Sequence, residues 1–162
     1  MLRFFSSRIP KRDCDKVVLR GVFHECTTPD MPTVIAFPDL LDDPESLAPY
    51  FNNKTFRDNR NLWLLSYRNS FGSDRCDTMS PKALADDVIR FMDSKKLTTA
   101  SLFGHGFGAK IASLTGILKY HRITSVIGID YSPMDYSKHE AWIELKSAIE
   151  SAAAIDLHGS HA

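Results

Sequence analysis

Residues 104–110 read Gly104-His105-Gly106-Phe107-Gly108-Ala109-Lys110, between the apolar run Ala100-Ser101-Leu102-Phe103 and the stretch Ile111-Ala112-Ser113-Leu114. The order predicts a strand, a glycine-laced turn and a helix start, the junction at which α/β proteins hold either a nucleophile or a phosphate. In a G-x-S-x-G elbow, small residues let the backbone turn sharply and leave a serine hydroxyl exposed. In a G-x-G-x-x-G/A fingerprint, glycines let a pyrophosphate approach the backbone at a helix N-terminus. Gly104, Gly106 and Ala109 satisfy the second as a string, and Asp130 could pose as its ribose acid. Position argues against it, because that fingerprint opens the first βαβ unit and at least three strands come earlier here. His105 and Phe107 are also bulky.

Outward from the turn, residues 17–24, 33–37, 61–66, 101–103 and 125–130 read as strands. Residues 45–51 and 109–119 read as helices. Ser80-Pro81 supplies an N-cap and first-turn proline for a helix running to Lys95-Lys96, with Leu84, Val88, Phe91 and Met92 at helical spacing. A last helix spans 140–153, with Trp142, Leu145, Ile149 and Ala152 on one face. Strands alternating with helical patterns predict an α/β fold, a mostly parallel sheet of about five strands with helices on both faces.

The 162 residues give room for one ordinary domain. Lys plus Arg and Asp plus Glu are equal at 20 each, so no overall field draws the chain to nucleic acid or an anionic membrane. No apolar run reaches the ~20 residues of a membrane span. Cys14, Cys26 and Cys76 are odd in number, far apart and without metal spacing, which predicts idle or buried thiols in a reduced compartment. No metal or cofactor is expected. Arg3, Arg8, Lys11 and Arg12 precede the first acid, Asp13, a composition that suits a mitochondrial presequence or a basic N-terminal arm. The expected organisation is a basic segment over 1–15, a domain over 16–157 and a tail over 158–162.

The elbow resembles that of the α/β-hydrolase superfamily, in particular small mitochondrial and bacterial esterases whose turn reads Gly-His-Ser-Met-Gly-Gly-Lys. Arg68-Asn69 matches the family's Arg-Asn-His-Gly. Met79-Ser80 with Asp86-Asp87 resembles its helix before the elbow, and Gly128-Ile129-Asp130-Tyr131-Ser132-Pro133 is similar to its Val-Asp-Ile-Ser/Ala-Pro. The resemblance covers residues 17–157 and implies a partial hydrolase fold.

It also implies a degenerate site. Acyl transfer needs a nucleophile, a base, an acid that orients it, and donors facing the oxyanion. The elbow Gly104, His105, Gly106, Phe107, Gly108 has Gly106 at the nucleophile position. The family's oxyanion-loop His-Gly corresponds to Pro38-Asp39, where proline has no donor and the carboxylate would repel an oxyanion. The acid and histidine follow the nucleophile in chain order in such triads, and this sequence ends at Ala162. His158 and His161 lie in a terminal stretch with no strand to hold them. His105 belongs to the elbow scaffold. The expectation is a pseudoenzyme.

If the family's strand order is kept, residues 125–130 form an apolar sheet edge that a partner would cover. Val126, Ile127, Ile129, Trp142, Leu145 and Ile149 are the expected interface. The expected function is a structural accessory subunit among the protein subunits of a large mitochondrial assembly: a respiratory complex, an ATP synthase or a mitochondrial ribosome, in the matrix or on the matrix side of the inner membrane. The alternatives are a remnant binding a nucleotide or acyl group at residues 104–110, and a residual esterase.

Overall fold

A computed structural model describes residues 14–131, 138 and 140–153. The basic segment before residue 14, Pro133, His158 and His161 lie outside the described residues. The described chain falls in two compact units that divide after Tyr131.

The first unit is built on a five-stranded sheet in the order β1-β3-β2-β4-β5. Its strands are β1 (Gly21–His24), β2 (Thr33–Phe37), β3 (Asn61–Leu65), β4 (Ala100–His105) and β5 (Ile123–Ile129). All pairings are parallel except that of β1 with β3. Strand alternation splits the buried side chains between two faces. Ile35, Phe37, Leu65 and Leu102 join Leu84, Val88, Met92 and Ile111 in one cluster, beneath α2 (Pro81–Ser94) and α3 (Phe107–Leu118). Val34, Ala36, Leu62, Leu64 and Phe103 face the other way and meet Leu47, Phe51 and Phe56. Each such side chain contributes about 1.5–3 kcal/mol when fully buried, so helices on both faces are what the sheet requires.

The caps that bound α2 were legible: the Ser80 hydroxyl accepts from Ala83 N at 3.2 Å, and Pro81 opens the first turn. Other elements differ from expectation. The first strand is short, because residues before Gly21 bond to a loop instead of the sheet. Val18 N donates to Asp74 Oδ2 at 2.9 Å and Arg20 N to Ser73 Oγ at 2.7 Å. The segment Pro44–Phe51 winds as a 3-10 helix with Pro49 inside it; Pro49 cannot donate the i→i−4 bond an α-helix needs. A short helix, α1 (Lys54–Asn59), was missed, although Asn53 caps it by accepting from Thr55 N at 2.8 Å.

The second unit contains α4 (Glu140–Ala153), where sequence periodicity places a helix.

Cys14 and Cys76 form a disulfide, with Cα atoms 5.4 Å apart, and Cys26 is the free thiol. This corrects the expectation of three unpaired thiols; partners separated by 62 positions leave no local signature in the sequence. Alkylation of the unreduced, denatured protein should therefore label Cys26 alone, and prior reduction should expose all three cysteines. Three labels without reduction would show that the bridge does not form.

Candidate functional site at the β4–α3 elbow

Gly106 alone separates β4 from α3, with φ 53° and ψ −116°, and its N–H donates to Ile129 O of β5 at 2.9 Å. Only glycine adopts that conformation without strain. A Cβ at this position would also stand 2.3 Å from Asp39 Cγ and 2.4 and 2.5 Å from the two carboxylate oxygens. At Gly108 a Cβ would meet Phe37 O at 2.4 Å. The helix thus starts in direct backbone contact with the end of β2, bringing the loop after β2 onto the elbow.

Asp39 leads that loop. Its Oδ1 accepts from Leu40 N at 2.7 Å and from Phe107 N, the first residue of α3, at 2.7 Å. These two donors lie 67 positions apart in the chain, Leu40 in the loop after β2 and Phe107 at the start of α3. The N–H of the residue after the elbow position and an N–H from the neighbouring strand's loop are the two donors of an oxyanion hole in elbow hydrolases. Here both are turned on the protein's own carboxylate, in charge-assisted bonds roughly twice as strong as neutral ones. Sequence reasoning identified Pro38 and Asp39 as the altered residues and anticipated repulsion of an oxyanion. It did not anticipate that the carboxylate itself would be the group held. A pyrophosphate at the glycine turn would likewise have to displace Asp39 from the Phe107 amide.

The loop is pinned from below. Tyr67, buried, donates its hydroxyl to Pro38 O at 2.6 Å and sets its ring edge-on to Phe107, centroids 5.5 Å apart. Burial, and then the charge of Asp39, push the Tyr67 phenol well above the ordinary tyrosine range, so it stays a protonated donor. On the far side the loop is open: Leu40 and Leu41 are exposed, and Leu41 takes φ 71°, unusual for a branched residue.

His105 stands one residue before the turn. Its Nε2 lies 3.9 Å from Asp130 Oδ2, and its ring centroid 6.2 Å from that of Tyr50. Asp130 is largely exposed, so the pair sits at the mouth of the sheet's carboxyl end. No grouping of His, Cys, Asp or Glu fit to hold a metal occurs among the described residues.

Two of the stretches on which the resemblance to hydrolases rests are structural here. Arg68 Nε donates to Asp87 Oδ2 at 2.6 Å and Nη2 to Asp87 Oδ1 at 2.8 Å, with both side chains buried. Asn69 Nδ2 donates to Cys76 O at 2.9 Å and its Oδ1 accepts from Cys76 N at 2.8 Å, closing the loop after β3. They shape the scaffold under the elbow.

The expected interface residues are placed only in part. β5 is an edge strand on which Val126, Ile127 and Ile129 are exposed. Trp142 is exposed on α4, and the side chains of Leu145 and Ile149 lie outside the described residues. A cleft that sequence reasoning missed, about 370 Å³ in volume, is lined by His24, Phe51, Phe56, Arg57, Arg60 and Leu62 and shares no residue with the elbow.

No protein-family profile matches the chain. It is 31% identical over 113 residues to an abhydrolase domain-containing protein of Schizosaccharomyces pombe, covering 68% of this chain and 41% of that protein. It is 29% identical over 98 residues to the esterase YbfF of Escherichia coli, covering 59% of this chain and 37% of the esterase. Among solved structures, a marine microorganism esterase superposes with a TM-score of 0.74 at 21% identity, over 86% of this chain and 52% of that one. The chain thus spans about two fifths of the length of these curated relatives.

These likenesses overturn the expectation of a structural accessory subunit in a mitochondrial assembly. The relatives are esterases and an abhydrolase-domain protein, which points toward hydrolase chemistry, and none supports a subunit of a large complex. The edge of β5 had suggested otherwise, but an exposed edge does not by itself specify what covers it. Among the described residues no helix is long and apolar enough to cross a membrane.

Proposed function

The chain is a member of the α/β-hydrolase superfamily, and from that premise we propose that it is an esterase-type domain whose elbow forms no acyl-enzyme. Its remaining chemistry is recognition of an acyl or carboxylate group at residues 104–110. One observation carries this: Gly106 occupies the turn between β4 and α3, and the Asp39 carboxylate lies where a nucleophile's side chain would project. Glycine offers no oxygen or sulfur for attack on a carbonyl. The amides of Leu40 and Phe107 beside it support a recognition role for the turn.

A second reading, slow ester hydrolysis, is favoured by the kinship with esterases. Release of nitrophenol from short acyl esters separates the two. The expected result is no release above buffer, and none on changing Gly106 to serine alone, because Asp39 fills the space that the hydroxyl needs. Turnover by the unmodified protein that disappears in Asp39→Ala or His105→Ala would establish the second reading.

A further inference from the structure

The two sulfurs of the Cys14–Cys76 bridge stand in different surroundings. The buried Arg68 guanidinium spends Nε and one Nη2 proton on Asp87 and the other Nη2 proton on Ala83 O at 3.5 Å. Its two Nη1 protons go to Thr78 O at 2.7 Å and to Cys76 Sγ at 3.3 Å. Thr78 N donates to the same sulfur, also at 3.3 Å. Cys76 is buried, whereas Cys14 is half-buried and its sulfur lies 3.9 Å from the Thr78 hydroxyl. A bridged sulfur accepts hydrogen bonds weakly, but a thiolate in the same place would take both donors in charge-assisted bonds. We propose that Cys14–Cys76 is a thiol–disulfide exchange site, at which a small external thiol attacks Cys14 and Cys76 departs as a thiolate held by Arg68 and the Thr78 amide.

Exchange begins with a thiolate attacking one sulfur and goes faster the better the other sulfur carries the departing charge. Exposure and charge select the same direction here. The incoming thiolate bonds to Cys14 Sγ, the bridge breaks, and its electron pair passes to Cys76 Sγ. A second external thiolate attacks the outer sulfur of the mixed disulfide and releases Cys14, which takes a proton from water. Two external thiols are thereby oxidised to one disulfide, and the bridge is reduced to two protein sulfurs. The site shares no residue with the elbow.

Both ends of the bridge are held by bonds that do not involve it. Asn69 grips the Cys76 backbone at 2.9 and 2.8 Å. On the other side Val18 N donates to Asp74 Oδ2 at 2.9 Å and Asp74 N to Val18 O at 3.0 Å, with Val17 and Leu19 in the core. The sulfurs therefore stay within reach of each other after opening, and exchange is reversible. Asp87 of α2 pairs with both Arg68 and Arg90, so this trio carries one surplus positive charge, which a thiolate at Cys76 balances. Of the charged residues near the two cysteines in the chain, Lys16 and Arg75 favour a new negative charge and Asp74 and Asp77 oppose it. Reactive cysteines are found beside cations in this way.

Reduced glutathione is the probe. The folded, oxidised full chain carrying Cys26→Ser is treated with it at pH 7, quenched in acid and mapped by peptide mass. The glutathione adduct should lie on Cys14, in at least about tenfold excess over Cys76, since attack and departure are both directed one way. In the reduced Cys14→Ser/Cys26→Ser chain Cys76 is the one thiol left, and its ultraviolet absorbance reads the thiolate. At pH 7 it should exceed the few per cent of an ordinary cysteine about tenfold. Adding Arg68→Met with Asp87→Leu should remove most of that excess; if this variant does not fold, the adduct position still decides. Adducts shared equally or favouring Cys76, a bridge that glutathione opens only in urea, an ordinary thiolate fraction, or an excess that survives the loss of Arg68 would each overturn the proposal.

Discussion

Asp87→Ala is expected to cost about 3–5 kcal/mol of stability, the range for stripping one partner from a buried ion pair. Against a net stability of ~5–15 kcal/mol, that loss decides whether the domain folds at all. The Arg68 and Asp87 side chains are 1% and 0% exposed, so the guanidinium left behind could not turn to water. Its remaining acceptors, Thr78 O at 2.7 Å, Cys76 Sγ at 3.3 Å and Ala83 O at 3.5 Å, carry no full charge. Arg90 would lose its partner as well, since its Nη2 donates to Asp87 Oδ1 at 2.5 Å. The control is Arg68→Met with Asp87→Leu: replacing both charges by apolar groups of similar volume should cost less than removing either alone. Urea melts of Asp87→Ala, Arg68→Met and the double variant measure this. A single variant within about 1 kcal/mol of wild type would place the pair with surface bridges, whose contribution is that small.

Gly106→Ser should destabilise the domain by at least about 2 kcal/mol. Two costs add. A side chain at φ 53°, ψ −116° stores about 1–3 kcal/mol of strain, and its Cβ would stand 2.3 Å from Asp39 Cγ, so the loop must open and give up its two amide bonds. Adding Asp39→Gly removes the clash and leaves only the strain. The double variant should therefore be more stable than additivity of the two single variants predicts, a coupling that a double-mutant cycle reads directly. Simple additivity would mean that serine and aspartate do not contend for one space.

Much of this was legible in the sequence, and the reason differs element by element. β2 announces itself because all five of its residues are buried, and Val34 to Phe37 form an uninterrupted apolar run. α2 carries its own start signal in Ser80-Pro81. α1 went unseen because its one apolar residue is Phe56 and its support is polar, with Asn53 capping it and Lys54 pairing with Asp58. The direction of β1 could not be read from its residues, since alternation along a strand is the same in either sense. At the site, the glycines stood out as a local string. The carboxylate that answers them belongs to a different loop, and so does the cysteine that pairs with Cys14: contacts of this span leave no periodicity to find. The idea of a partner-bound subunit arose from the edge of β5 and took a geometric liability for a biological role.

The sheet order has a kinetic consequence. β4 enters between β2 and β5, so Val34 finds Ser101 as its register partner only after the intervening chain has been brought round. The entropy of closing so long a loop must be met before the pairing returns any contact energy. Adjacent strands β1 and β3 with α1 can organise earlier, but the elbow cannot, because its two walls belong to the strands whose union is the most distant in the chain. The turn is therefore expected to be among the last parts to acquire native shape, since until β4 docks β2 has no partner along that edge.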